Sequence, residues 1–457
     1  GSGLSGGDAV ALEWSEDKPE LVISKADKSK NHVADTHQGL IIDINNKKLT
    51  ERFSGYDTVE VLVENGVITV KATFHDSQIE SREADVINRL ANDLPLRKGG
   101  LYSGTGLLCE SVHVGIKSAG INVAERFTNE MASLPFEVNL SGNPIWDTTD
   151  DYIAIQRDIF NLDLRTIPKL DILVVSKPCT PHSTLSTRAA KEGRMDIWHE
   201  AGTTFQPTLS FIQVSNPAVV LLECSPNFKG SINDYLMSEV MERFGYLQTD
   251  TIVNGSEFGG FEKRSRIARV WYSKNLPEFD ISQLVGSTPN QRKVSDILED
   301  VDDEASCWSR RKYLEAKQLQ KNNNHKYCIV SEEDTLIPVL SANYFKFGGD
   351  TPLLPHPTKE LHTRGFSVSE HCNLRSITGN YKDQIVAVAK GTHSSQRLDR
   401  TNVAAAHRML GNSVEPLAWK AVGAYMGEWF STIKTMSKKF TRSKVINFPP
   451  MKQDADL

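Results

Sequence analysis

The sequence predicts an α/β protein: a doubly wound, mostly parallel sheet, a smaller second domain, and a small β-rich module in front. Three observations predict it. From "LRKGG" (residues 96–100) onward, short β-branched runs alternate with helical stretches, the rhythm of parallel strands joined by crossover helices. The run "DILVVS" (Asp171–Ser176) is almost wholly apolar and stops at the breaker "KPCTP", as a strand buried on both faces should. Finally, "LYSGTGLL" sets two glycines between a strand and a helix, where doubly wound sheets hold their ligands. With 457 residues, 39% of them hydrophobic, the chain can build two or three domain cores.

In the first stretch, "TVEVLVENGVITVKATF" places two alternating runs around Asn65-Gly66, a strong hairpin signal because both residues tolerate the positive φ of a type I′ turn. A helix is expected from Ile79 to Asn92, and residues 1–95 read as a β-rich module that is a candidate DNA binder. The next strand ends near Tyr102. Gly104 and Gly106 make the turn, a helix runs to about Ala119, and a second strand ends in Glu125. An acid about twenty positions after the glycine turn suits the hydroxyls of a ribose. The third glycine of a dinucleotide-binding turn is Cys109 here, so a nucleoside cofactor without a pyrophosphate fits better.

Just past the apolar run, Cys179 stands between two prolines that stiffen its loop at the ligand-binding edge. A buried structural thiol is the competing reading. The six cysteines show neither a C-x-x-C pair nor regular spacing, which suggests a reducing compartment. Cys179-x-x-His182 and His371-Cys372 lack the spacing of a four-ligand zinc site, so no metal is expected. No stretch reads as a signal peptide or a membrane span, and a cytoplasmic protein is expected. The formal net charge of −6 argues against nucleic acid, but local patches matter more than the sum. Arg310, Arg311, Lys312 and Lys317 crowd one segment, and Lys434, Lys438, Lys439, Arg442 and Lys444 another. Taken singly, each cluster also reads as a solvated helix face.

From about Gly99 to the last helix, these pieces line up in order with one family. The chain resembles the C5-cytosine DNA methyltransferases of bacteria, phages and plasmids. "LYSGTG" is similar to that family's Phe-x-Gly-x-Gly loop and "PCTPHS" to its Pro-Cys-Gln-Pro nucleophile loop. "LLECSPNF" takes the place of its Glu-Asn-Val segment and "GGFEKRSRIARVW" that of its Gln-x-Arg-x-Arg strand. "RGFSVSEHCNLRSITG" resembles its late Arg-Leu-Thr-x-x-Glu helix, and "LGNSVEP" its Gly-Asn-Ser-Val element.

The resemblance implies S-adenosylmethionine as cofactor. It would be held by Tyr102, Ser103, Gly104, Thr105, Gly106 and Leu107 in the turn, Glu125 and Arg126, Asp158 and Ile159, Pro178, and Asn412 and Ser413. It also implies Cys179 as nucleophile, with Glu223, Arg264 and Arg266 as its catalytic partners. Residues 96–285 would form the catalytic core, 286–355 a target-recognition domain carrying the first basic cluster, and 356–457 a return segment completing the core.

The chemistry explains why these residue types belong together. Cytosine C5 is a poor nucleophile until a thiolate adds at C6, and a free thiol is only a few per cent ionised at neutral pH. Glu223 would draw electrons through N3. Arg264 and Arg266, at i and i+2 of one strand face, would hold the cytosine O2 and the thiolate loop. The target base has to leave the duplex. The implied partner is double-stranded DNA, met by a monomer in the cytoplasm or nucleoid of a prokaryotic host. A transfer-RNA cytosine methyltransferase, a catalytically silent DNA-binding paralogue and the use of a modified cofactor remain alternatives. Against the family pattern, Leu107, Thr180, Cys224 and Glu262 stand where a glycine, a glutamine, an asparagine and a glutamine are usual.

Overall fold

A computed structural model describes residues 3–16, 18–56, 58–146, 151–178, 202–286, 288–318, 328–348, 351–395 and 402–442. The chain divides into two compact units, Gly1–Ser81 and Arg82–Leu457.

The first unit is a five-stranded antiparallel sheet in the order β3-β1-β2-β7-β6, formed by β1 (Ala9–Trp14), β2 (Glu20–Lys25), β3 (Asn31–His32), β6 (Val59–Glu64) and β7 (Val67–Ala72). A separate two-stranded ribbon joins β4 (Ala34–Thr36) to β5 (Gly39–Ile41). Strands β6 and β7 pair around Asn65-Gly66, with Glu64 opposite Val67. Helix α1 (Lys47–Phe53) is capped by the Asn46 side chain, and its Leu49 and Phe53 pack on a core of Val10, Leu21, Ile23 and Val33. The division between the units falls inside α2 (Phe74–Ala91), which starts five residues before the helix predicted from the sequence. The later half of α2 is anchored in the larger unit. Arg82 donates to Ser273 Oγ at 2.8 Å and to the Gly245 carbonyl at 2.7 Å, and its guanidinium lies over the Tyr246 ring.

The larger unit is built on seven strands in the order β10-β9-β8-β11-β12-β14-β13. They are β8 (Leu96–Leu101), β9 (Val123–Glu130), β10 (Ile153–Gln156), β11 (Ile172–Ser176), β12 (Val219–Cys224), β13 (Tyr246–Asn254) and β14 (Ser265–Ser273). The first five in that order run parallel, and the β13–β14 pair runs antiparallel at one edge. Strand order reverses between β8 and β11. The crevice outside their carboxyl ends is therefore the sheet's switch point.

Burial explains the apolar runs. Every residue of β12 is buried, and in β11 Val174 faces one core while Leu173 and Val175 face the other. Each such side chain contributes about 1.5–3 kcal/mol. One face of the sheet is covered by α3 (Leu107–Ser118) together with the last helix, α11 (Pro416–Arg442), whose Trp419, Val422, Met426 and Phe430 join the same core. The other face is covered by α5 (Phe205–Ser215) and α6 (Ile232–Arg243). Helix α4 (Ser133–Gly142) packs with α8 (Val368–Leu374), α9 (Gly379–Lys390) and α10 (Val403–Asn412) around Val138, Val368, Ile385 and Met409. Between β14 and α8 lie the short helix α7 (Lys312–Gln318) and a three-stranded sheet of β15 (Ser309–Arg310), β16 (Leu354–Pro355) and β17 (His362–Arg364). Beside this sheet a core of its own gathers Phe261, Val294, Ile337, Leu340, Tyr344 and Phe366.

Candidate active site

The loop after β8 is tightly wound. Tyr102, Gly104 and Gly106 all have positive φ, at 55°, 55° and 83°. For Tyr102 this is a strained conformation, of a kind that costs about 1–3 kcal/mol and clusters at functional sites. Its hydroxyl, 2.8 Å from Thr208 Oγ1, donates to the Thr204 carbonyl, and burial pushes its pKa up to about 12. Ser103 donates its amide to the Asn129 carbonyl at 3.0 Å and accepts from the Thr128 hydroxyl at 2.8 Å. The Thr105 carbonyl accepts the Tyr381 hydroxyl. Gly106 caps α3 in a left-handed conformation, where a Cβ would lie 2.1 Å from Asn139 Oδ1, so only glycine fits. Leu107, the first residue of α3, is buried among Val138, Val368 and Leu410.

The predicted ribose acid is corrected by the structure. Glu125 is opposite Lys98 in the first half of β9, and the two fully buried side chains are bonded to each other. Arg126 likewise faces away from the crevice and binds Asp151 at 2.7 Å. The strand does not end at Glu125, where the sequence predicts its end. It continues through Phe127, Thr128 and Asn129 and reaches the carboxyl edge only at Glu130. That residue faces the glycine turn: Oε2 accepts the Gly104 amide at 2.8 Å, and Oε1 accepts the Ala132 amide at 2.8 Å. The missed signal was position, because Glu130 is the last polar residue before the α4 helix.

On the neighbouring strand tip, Asp158 caps a short 3-10 turn and accepts the Phe160 amide at 3.0 Å, while Ile159 is buried. Asn129 ties the two tips together by donating to the carbonyls of Ile155 and Arg157 at 3.0 and 2.8 Å. Two exposed apolar side chains follow these acids in sequence, Met131 directly after Glu130 and Phe160 two residues after Asp158.

On the other side of the switch point, Ser176 ends β11 directly opposite Glu223 of β12. Its hydroxyl donates to Glu223 Oε2 at 2.9 Å, and Arg266 Nε lies 2.9 Å from Oε1. Both carboxylate oxygens of this buried acid are thus held. The described chain continues through Lys177 and Pro178. Cys179, Thr180 and His182 lie outside the described residues.

Arg264 and Arg266 do not share a target. Arg264 precedes β14, is buried, and donates to the Gly411 carbonyl at 3.0 Å. Burial, followed by the positive charges of Arg266 and Arg375, pushes its pKa down to about 9, so it stays charged at neutral pH. At the end of α10, Asn412 is exposed, while Ser413 caps the helix through its hydroxyl on the Leu410 carbonyl. Glu262, where the family pattern has a glutamine, is fully buried, with Oε2 2.8 Å from Arg375.

Of the basic residues, Arg310 is paired with Glu315 at 2.8 Å, Arg311 lies 3.9 Å over the Phe347 ring, and Lys312 is exposed. The side chain of Lys317 lies outside the described residues. In the second cluster, Lys434 and Lys438 both bind Asp93. His371 stacks on His407 in the interior with their Nδ1 atoms 3.1 Å apart, and burial pushes both pKa values down, that of His407 to about 4. Among the described residues, no three His, Cys, Asp or Glu side chains are grouped to hold a metal ion.

At the switch point of the open α/β sheet, a glycine turn is thus flanked by acids on two strand tips and by a buried Glu–Arg pair. Residues 145–428, more than half of the chain, match the family model of the C-5 cytosine-specific DNA methylases, and the chain belongs to that family. It is 26% identical over 322 residues to the Type II methyltransferase M.MspI of Moraxella sp, covering 69% of this chain and 66% of that protein. With the Type II methyltransferase M.DsaV of Dactylococcopsis salina it shares 25% over 205 residues, covering 42% and 56%. The matches thus span less than two thirds of either relative. In fold it is similar to the S. pombe Dnmt2 methyltransferase, with a TM-score of 0.55 at 18% identity, over 74% of this chain and 99% of that one.

Proposed function

We propose that the protein is a DNA (cytosine-5-)-methyltransferase that uses S-adenosylmethionine and acts as a monomer on double-stranded DNA in the cytoplasm. The observation that carries this reading is the grip on Glu223. Ser176 and Arg266 hold its two oxygens at the carboxyl edge of the sheet, and the chain reaches Cys179 only three residues after Ser176. The cofactor fits the other side of the crevice. Glu130 offers a carboxylate to ribose hydroxyls, Asp158 one to the adenine amine, and Met131 and Phe160 apolar surface to the adenine faces. Tyr102, Ser103, Gly104, Thr105, Gly106, Pro178 and the Asn412–Ser413 turn complete the cradle. When bound, S-adenosylmethionine would supply an electrophilic methyl group on a sulfonium, and would leave as S-adenosylhomocysteine once cytosine C5 has taken the methyl and the methyl–sulfur bond has broken.

The chain's own residues perform the rest. Cys179, as thiolate, forms a bond to C6 of a cytosine rotated out of the duplex, at a cost of a few kcal/mol of stacking and pairing. Glu223 shares a proton with N3 and accepts from the exocyclic amine, drawing electrons from the ring so that C6 is electrophilic. Arg266 keeps the Glu223 carboxyl oriented and balances its charge. Addition at C6 makes C5 the nucleophile. Loss of the C5 proton and expulsion of the thiolate then restore the aromatic ring and the enzyme. Arg311, Lys312 and Lys317 are assigned to phosphates, and Arg310 joins them by exchanging Glu315 for a phosphate. Residues 286–355 read the target. The Type II relatives support a restriction–modification setting.

The test incubates the protein, and its Cys179→Ala variant, with unmethylated genomic DNA and S-adenosylmethionine, followed by nucleoside mass spectrometry and bisulfite sequencing. The expected result is 5-methylcytosine at one sequence context, made only by the unsubstituted protein. Product on transfer RNA alone would move the assignment to RNA. No product on either would leave a silent DNA-binding paralogue.

A further inference from the structure

Three distant stretches of chain converge on one buried cluster of charge behind the site. The first precedes β14, where Glu262 is wholly buried. Its Oε1 accepts the Leu340 amide at 2.6 Å, and its Oε2 lies 2.8 Å from Arg375 Nη2. The second stretch is the Ile337–Ala342 backbone, which also gives the Ile337 amide to the Phe261 carbonyl at 2.8 Å. The third is the turn between α10 and α11. Arg375 Nη1 holds that turn through the Ser413 carbonyl and hydroxyl, at 3.2 and 3.1 Å, and the Val414 carbonyl at 2.7 Å. Second and third stretches also touch directly. A Cβ on Gly411 would come within 2.4 Å of the Ser341 carbonyl carbon and the Ala342 amide, so the two backbones are in contact there.

Charge explains why a carboxylate stands at position 262. Arg375 and Arg264 are both buried, and Arg264 binds the same turn through the Gly411 carbonyl. A glutamine could accept the Leu340 amide equally well, but it would leave two guanidinium charges facing one another with less compensation. A buried charge without its partner is costly, and Glu262 removes that cost while keeping the backbone bond. We propose that Glu262 is a positioning residue that couples the cofactor-side turn to the 337–342 segment: the two are held by opposite oxygens of one carboxylate, the turn through Arg375. Occupancy of the turn by cofactor is then felt where the target-reading segment docks, and linkage makes the effect reciprocal. This rests on the reading of residues 411–414 as a cofactor contact.

Hydrogen–deuterium exchange on the full chain tests it, with S-adenosylhomocysteine as the probe. In the unsubstituted protein the probe should slow exchange in both 411–415 and 337–342. In Glu262→Gln, which keeps the Leu340 bond but loses the ion pair with Arg375, exchange at 337–342 should no longer respond to the probe, while 411–415 is still protected at saturation. Exchange that rises equally across the sheet strands would reduce Glu262 to an ordinary core residue and overturn the proposal. So would protection of 411–415 alone in the unsubstituted protein, which leaves the methyltransferase reading standing. Absence of protection in either segment would instead defeat the cofactor reading itself, and the coupling with it. If Glu262→Gln does not fold, the Glu262→Gln/Arg375→Gln pair, which leaves no unpaired guanidinium at 375, serves in its place with the same expectations.

Discussion

At the scale of single residues, two glutamates of one strand have opposite parts. Glu125 is sealed in the interior with Lys98, whereas Glu130 stands at the edge holding the glycine turn. Breaking a buried ion pair by removing one partner costs about 3–5 kcal/mol. Glu125→Ala should therefore lower the denaturant midpoint strongly, while the correctly folded fraction still binds S-adenosylmethionine. Glu130→Ala should do the reverse, weakening cofactor binding by about tenfold or more in titration calorimetry with little change in melting temperature. For Glu223→Gln, steady-state methylation should show kcat lower by about 10²–10⁴ with KM for DNA nearly unchanged, because the group acts on the proton at N3. Equal losses in a Glu223→Gln and a Glu242→Gln variant, the latter on the far helix α6, would remove Glu223 from the mechanism.

Elements carry a second kind of consequence, clearest at the turn that leads into α11. Glu415 is buried there, with Oε2 accepting the Ala418 amide and the α-carbons of Gly255 and Gly260 stacked against its chain. Burial raises its pKa from 4.5 to about 7. A carboxyl raised on folding binds its proton more tightly in the folded state, so its contribution to stability is lost as pH rises from about 4.5 to about 7 and stays lost above. The expected result is that Glu415→Gln is more stable than the parent at pH 8, by something on the order of 3 kcal/mol, and no more stable at pH 4. Urea melts at the two values check this. An advantage that does not change with pH would mean that the carboxyl keeps its charge in the fold.

For the whole molecule, the point at issue is where the larger unit begins. The composition change at "LRKGG" suggested residue 96, but the fold reaches back into α2. There, besides the bonds of Arg82 to Ser273 and Gly245, Glu83 Oε1 accepts the Asn275 amide at 3.1 Å. A chain that starts at Phe74 should keep a cooperative melt and the cofactor affinity of the parent. One that starts at Leu96 leaves those buried polar partners unpaired and should melt well below it, or fail to accumulate as a folded protein. Calorimetry on the two truncations measures the difference. Equal melting temperatures would show that α2 contributes nothing to the larger unit.

Much was legible from the chain itself wherever local chemistry decides. The hairpin at Asn65-Gly66 follows from the φ demand of its turn, the continuous apolar run of β11 from burial on both faces, and the glycine turn from the space its backbone needs. The resemblance of its motifs to the C5-cytosine DNA methyltransferases, and no spacing rule, marked Asp158, Glu223 and Arg266 as candidates. What only the tertiary structure decided were the lengths and partners of charged residues. The point at which β9 stops, and so whether Glu125 or Glu130 reaches the crevice, depends on the pairing of that strand with β8 and β10. Likewise the divergence of Arg264 from Arg266, and the burial of Glu262 between Leu340 and Arg375, follow from contacts among residues far apart in sequence. A charge inside a fold is placed by whichever distant group compensates it, and no local pattern records that partner.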